Sequence, residues 1–285
     1  MKLSVIMATY NGSETIHLAI KSILNQSFSD FEFIICDDCS TDTTYEILSE
    51  FQQLDPRIKL LQNTSNLRVA ASRNRCIEES QGEFIAIIDD DDIALPQRFE
   101  KQIDFLEKHH DFAFVGSNAY YFETNEILIW GKTHFAEEQS TSSVFKGFGF
   151  VTPSTMYRFK SLQMVEGFTV SKLTRRTEDY DLYCKLYSFG FKGYNLDEIL
   201  LLYREDLNTI KRRKFQHRID SIRLRLRWRK RLNLGVEYLP TVFAPILSGL
   251  IPQRVLFYRR KRRNKKFLKE YSDTVRNLLP ENFWK

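Results

Sequence analysis

Between Leu3 and Val115 the chain repeats one pattern: a short apolar run, a polar turn, then a stretch with apolar residues at helical spacing. The runs Leu3–Met7, Phe31–Cys36, Ile58–Leu61, Phe84–Ile88 and Ala113–Val115 lack period-two alternation, so each predicts a strand buried on both faces. Between them lie amphipathic segments. One starts near Ser13 and carries Ile16, Ala19, Ile20, Ile23 and Leu24; the second carries Ile47, Leu48, Phe51 and Leu54. A third covers about Val69–Ser80 and stops before Gly82, and the fourth is opened by Pro96 and runs to about His109. Strand–helix alternation of this kind predicts an α/β fold with a mostly parallel, Rossmann-like sheet covered by helices on both faces.

After Ser117 the pattern loosens. Tyr120–Phe122 and Ile127–Trp130 suggest a hairpin, Glu178–Phe189 a helix stopped by Gly190, and Leu196–Tyr203 a closing strand. With 285 residues, 42% of them hydrophobic, there is ample material for a sizeable core. Four cysteines are too few for a disulfide scaffold and suit a reducing compartment. The apolar run after Met1 is cut short by Asn11-Gly12, and Tyr238–Gln253 holds three prolines, so neither reads as a signal peptide or a membrane span. A cytoplasmic protein is expected.

Ligands of open parallel sheets sit beyond the carboxyl ends of the strands. The first strand runs into Ala8-Thr9-Tyr10-Asn11, the second into Asp37-Asp38-Cys39-Ser40, and the fourth into Asp89-Asp90-Asp91-Asp92. A parallel sheet brings these ends to one edge. Four successive carboxylates repel one another unless a cation compensates them, and an all-oxygen set suits Mg²⁺ or Mn²⁺ shared with a phosphate. A solvated turn before the Pro96 helix would also use acids, through the helix dipole, but needs fewer of them. Cys36-Asp37-Asp38-Cys39 has the spacing of a redox or zinc pair, yet no second pair follows and two acids disfavour thiolates.

In their order and spacing these segments resemble a family-2 glycosyltransferase of the GT-A fold, over roughly residues 2–204. The likeness rests on Ser4–Asn11, Ser22–Ser27, Asp37-Asp38-Cys39-Ser40-Thr41-Asp42, Ala71-Ser72-Arg73-Asn74, Gly82–Asp92 and Thr177-Glu178-Asp179-Tyr180-Asp181-Leu182. The resemblance implies an inverting, metal-dependent transfer from a nucleotide-sugar donor, foremost a UDP-sugar, to a hydroxyl of a lipid-linked or cell-surface glycan, the enzyme being of the hexosyl- or N-acetylhexosaminyl-transferase type. It places Ala8, Thr9 and Tyr10 at the nucleotide base, with Asp38 accepting a hydrogen bond from it. Arg73 then lies near the nucleotide. Asp91 holds the metal, Mn²⁺ or Mg²⁺, and either Asp89 or Asp90 meets the ribose, since the extra acid blurs the Asp-x-Asp alignment. Asp179 is the candidate base that takes the acceptor hydroxyl's proton. A plainer role for Thr177, Glu178, Asp179 and Asp181 is to cap and favour a helix start. Many relatives carry His two residues beyond the arginine matching Arg204, where this chain has Asp206, so a third metal ligand is not implied.

Charge divides the chain. Residues 204–285 carry 23 Lys+Arg against 7 Asp+Glu, a net +16, whereas residues 1–203 carry a net −11. The expected organisation is a catalytic domain over 1–204, with a nucleotide-sugar part at 1–117 and an acceptor-side part at 118–204, followed by a basic region over 205–285. Lys211–Arg231 fits a helix, although Ile222–Arg229 also alternates strictly; Tyr238–Ile251 is apolar but interrupted by Pro240, Pro245 and Gly249. Apolar wedges flanked by cations suggest attachment to the anionic inner face of a membrane. A helical cover for the catalytic domain is the competing reading. No nucleic-acid partner is expected, because no stacking platform or recognised motif accompanies the arginines. A sugar-nucleotide-binding protein without turnover is the alternative function.

Overall fold

The computed structural model describes residues 1–123, 128–147, 149–205, 215–249, 253–264 and 279. Four strands build the first half of the sheet: β1 (Leu3–Thr9), β2 (Phe31–Asp37), β3 (Ile58–Gln62) and β4 (Phe84–Ile87). They lie in the order β3-β2-β1-β4, all parallel, with Thr9 paired to Asp37 and Asp37 to Gln62 at their carboxyl ends. Helices α1 (Ile16–Leu24), α2 (Thr44–Leu54) and α3 (Val69–Glu78) connect them. Both faces of β1, β2 and β4 are dry. Leu3, Val5 and Met7 join Ile20, Ile23 and Phe99 in one core, while Ile6 meets Cys76, Ile77 and Leu182 in another. Uniformly apolar strands are the sequence consequence of that double cover.

The second half departs from a plain parallel sheet. A two-residue strand, β5 (Ile93–Ala94), precedes α4 (Arg98–Lys108), and the fifth predicted strand extends to twelve residues as β6 (Phe112–Glu123). β6 pairs antiparallel with β7 (Leu128–Lys132), as the hairpin reading expects; the intervening residues 124–127 lie outside the described set. Next come α5 (Thr141–Lys146), a 3₁₀ turn at Thr152–Ser154, β8 (Met156–Arg158) and α6 (Phe159–Met164). β8 inserts antiparallel between β4 and β6. Its three residues are too few to register as a periodic run, so the sequence pattern does not reveal it. Helix α7 (Glu178–Ser188) and strand β9 (Lys192–Arg204) complete the domain, β9 lying parallel to β6 and antiparallel to β5.

The basic region is helical where it is described. α8 (Phe215–Arg231) resolves the ambiguity over Ile222–Arg229 in favour of a helix, and α9 (Leu239–Gly249) runs through Pro245 rather than breaking there. α10 spans Gln253–Asn264. α8 is bound to the catalytic domain: Trp228 is buried and its Nε1 donates to Asp181 Oδ1 at 2.7 Å, while Ile222 and Leu224 enter the core that holds Leu182. α10 packs Phe257 edge-on against Trp130 (5.4 Å), and Lys261 pairs with Glu123 at 2.8 Å. Among the described residues, no helix is long and apolar enough to cross a membrane.

Candidate active site

Because β1, β2 and β4 are adjacent and parallel, their polar ends do meet at one edge, and the end of β3 joins them. Thr9 is buried and its Oγ1 donates to Asp90 Oδ2 at 2.5 Å, tying the β1 loop to the acidic run. That closeness needs Gly12. A Cβ there would stand 2.6 Å from Asp90 Oδ2 and 2.8 Å from Thr9 Oγ1. Ala8 is half-buried beside Thr9, and Tyr10 projects outward with 47% of its surface exposed. Three non-glycine residues on these strand-end loops, Asn11, Cys39 and Arg68, have φ of 55°, 63° and 76°. Backbone strain of this sort persists where surrounding contacts fix it, and it concentrates at functional sites.

Asp38 is one such fixing point. Its buried carboxylate accepts from Asn63 Nδ2 (2.6 Å), Leu67 N (2.8 Å) and Arg68 N (2.7 Å), so it shapes the loop between β3 and α3. Asn63, the residue after β3, also donates to Ser72 on α3. Its sequence signal is a polar residue just after the third apolar run, a strand end outside the three acidic or polar clusters.

The acidic run divides into distinct jobs. Asp89 forms an ion pair with Arg73, which is itself buried on α3 with its guanidinium 5.3 Å over the Phe168 ring. Burial alone would pull the Arg73 pKa down, but Asp89, Glu178 and Asp179 reverse this and hold it above its ordinary value. Asp90 is pushed up to about 6 by burial and Asp89, against the Thr9 hydrogen bond, and Asp91 to about 7 by burial and then by Asp90 and Asp89. Such crowding fits a hard dication: each carboxyl resists ionisation until positive charge arrives. Asp92 does something else. It is fully buried, its Oδ1 accepts from Arg204 N at 2.8 Å, and burial raises its pKa far above the usual carboxylate range. Arg204 Nε in turn donates to the Asp91 carbonyl at 2.7 Å, so the end of β9 holds the acidic turn in shape. Behind it, fully buried Arg98 donates to the carbonyls of Ile87 and Thr155; burial lowers its pKa to about 9.

Among the described residues, no group of three or more His, Cys, Asp and Glu is gathered closely enough to hold a metal. Asp206 falls outside the described set.

Helix α7 brings the second acidic motif to the same region. Asp179 Oδ1 accepts from Tyr180 N (2.7 Å) and Oδ2 from Thr152 Oγ1 (3.3 Å). The latter hydroxyl also receives Tyr183 Oη at 3.1 Å. Asp179 and Thr177 line a cavity of about 400 Å³ whose described walls come from α5, α7, α8 and α9. The neighbouring Glu178 is more than the helix-favouring acid the sequence suggested. Its Oε2 is buried without a partner among the described residues, and burial together with Asp179 pushes its pKa to about 7. Arg73 links the two acidic motifs, drawing on Asp89 from one and on Glu178 and Asp179 from the other.

A parallel sheet whose edge gathers two acidic loops, linked through a buried arginine to a carboxylate-bearing helix, is the layout of a sugar-nucleotide transferase. The comparisons with known proteins agree. Residues 4–165 match the model of the family described as glycosyl transferase family 2. EpsE of Bacillus subtilis, named as a glycosyltransferase, is 37% identical over 263 residues, covering 92% of this chain and 94% of its own. From Escherichia coli, the UDP-Glc:alpha-D-GlcNAc-diphosphoundecaprenol beta-1,3-glucosyltransferase WfaP is 29% identical, covering 76% of this chain and 82% of its own. The crystal structure of Staphylococcus aureus TarS residues 1–349 in complex with UDP-GlcNAc superimposes with a TM-score of 0.62 at 18% identity, covering 96% of this chain and 92% of that one. The chain belongs to glycosyl transferase family 2; its fold is GT-A, and it is a glycosyltransferase.

Proposed function

We propose that this glycosyltransferase is an inverting, metal-dependent enzyme that moves a sugar from a UDP-sugar to a hydroxyl of a lipid-linked glycan at the inner face of a bacterial membrane. The observation that carries the reading is the convergence of Asp89 from the acidic run and Glu178-Asp179 from α7 around the buried Arg73. In this reading Ala8, Thr9 and Tyr10 flank the base, Asp38 accepts from it through the Oδ2 lone pair its loop leaves over, and Asp89 or Asp90 meets the ribose. Asp91 holds Mn²⁺ or Mg²⁺. When bound, that ion neutralises the charge that develops on the departing nucleoside diphosphate.

The chain's own residues do the rest. Asp179 faces the cavity with one oxygen held by the Thr152 hydroxyl, in position to accept the acceptor's proton as its oxygen attacks the anomeric carbon. Arg73, already paired with Asp89, places positive charge between the two acidic motifs. The acceptor class is supported by the E. coli relative, whose name specifies a diphosphoundecaprenol-linked sugar. Membrane attachment is supported by the exposed apolar residues Val236, Phe243, Val255 and Tyr258, the last two on the cationic α10.

A screen of UDP-, dTDP- and GDP-sugars with Mn²⁺, read by release of the nucleoside diphosphate, tests the proposal. UDP-sugar turnover is expected, together with its loss in Asp91→Ala along with metal-dependent donor binding. An Asp91→Ala protein with unchanged donor affinity and turnover would remove the metal assignment.

A further inference from the structure

The cavity beside Asp179 is more cationic than a neutral sugar requires. Among its described lining residues Asp179 is the single carboxylate, set against Lys146, Arg176, Arg218 and Arg225. These cations come from three different parts of the chain: the end of α5, the turn before α7, and α8. Arg225 is held in a fixed pose. Its Nη1 donates to the Phe145 carbonyl (2.9 Å), which also accepts Tyr180 Oη (3.0 Å), and its guanidinium lies 4.6 Å over the Tyr180 ring. Its Nε is buried and has no partner among the described residues. Arg218 Nη1 donates to the Pro245 carbonyl at 2.6 Å and clamps α8 to α9 beside the same space. Arg176 has φ of 65° one residue before Thr177, at the mouth of the acidic helix.

A held guanidinium backed by three further cations around one hollow suits phosphate oxygens. The donor's diphosphate does not belong here, because none of Asp89, Asp90 and Asp91 lines the cavity. We propose that this cavity is an acceptor phosphate subsite. It binds the diphosphate ester that carries the acceptor sugar, while the sugar's hydroxyl faces Asp179. An anomeric phosphate sits one sugar ring from the attacked hydroxyl, so phosphate and base must share one small cavity, and about 400 Å³ accommodates that pair. A neutral acceptor would leave the cations to repel one another across the hollow. The basic α8 is thus part of the acceptor site as well as a cover for the domain. This inference rests on the reading of Asp179 as the base.

The test uses the full chain and calorimetry, with geranyl diphosphate and geraniol as probes in metal-free buffer, and UDP with Mn²⁺ titrated separately. Wild-type protein should bind geranyl diphosphate and not geraniol. The double variant Lys146→Gln/Arg176→Gln, whose positions are exposed, should weaken that binding about tenfold or more, the scale of a lost charge-assisted hydrogen bond. Its affinity for UDP should stay the same, and Arg225→Lys should retain more diphosphate binding than Arg225→Gln. Undiminished diphosphate binding in the double variant, equal binding of geraniol, or tighter binding of inorganic pyrophosphate than of the ester would overturn the subsite. Failure of wild-type protein to bind UDP would instead strike the donor site.

Discussion

Glu178 is the residue whose surroundings differ most from what its place in the sequence suggests. An acid in the first turn of a helix ordinarily gains from the dipole and stays ionised. Here burial and Asp179 outweigh both the dipole and Arg73, raising the pKa to about 7. A carboxyl whose folded pKa lies above its unfolded value stabilises the fold at low pH, and that contribution is lost as pH rises from the ordinary glutamate range through about 7. Glu178→Gln is permanently neutral, so it should be more stable than wild type at pH 8, by about 1–3 kcal/mol. The gap should close as pH falls towards 5. Thermal melts at both values check this; an equal difference at the two would refute the assignment. The sequence exposed Glu178 as a motif member, but only the packing around it reveals a buried, unpaired oxygen. Asp92 teaches the reverse. Four consecutive acids read as one metal-seeking cluster, yet the fourth is a fully buried brace for Arg204.

Elements were legible where they are periodic and long. The first four strands and the helices between them follow directly from apolar runs and helical spacing, since a doubly covered parallel strand has no other way to bury both faces. β5 and β8, with two and three residues, leave no periodic trace and are fixed by partners distant in sequence: Leu201 and Leu202 for β5, Phe84–Ala86 and Phe114–Val115 for β8. The C-terminal helices divide between cover and display. α8 docks through Trp228, while Phe243 on α9 and Val255 and Tyr258 on α10 remain exposed. Because those three side chains are outside the core, Phe243→Asp with Val255→Asp should leave the melting temperature nearly unchanged. The same pair should weaken binding to anionic vesicles at every salt concentration, since the apolar contribution is not screened. Wild-type binding should weaken with salt without vanishing. Vesicle binding unaffected by the two aspartates would mean that these helices only cover the domain.

At the scale of the whole molecule, charge and topology separate two tasks. In the proposed reading, the carboxyl edge of β1, β2, β3 and β4 is the donor side, and the start of α7 with the basic α8 is the acceptor side. The acidic body and the +16 basic region were visible as composition, but their meeting around one cavity was not, because it depends on how α8 folds back over α7. If binding and chemistry are divided in this way, one substitution should separate them. Asp179→Asn keeps size and polarity but cannot take a proton. Its kcat with a UDP-sugar should fall by about 10²–10⁴-fold, the usual contribution of a general base, while UDP affinity measured on the same preparation stays at the wild-type value. A variant that retains wild-type kcat would contradict the account at its centre.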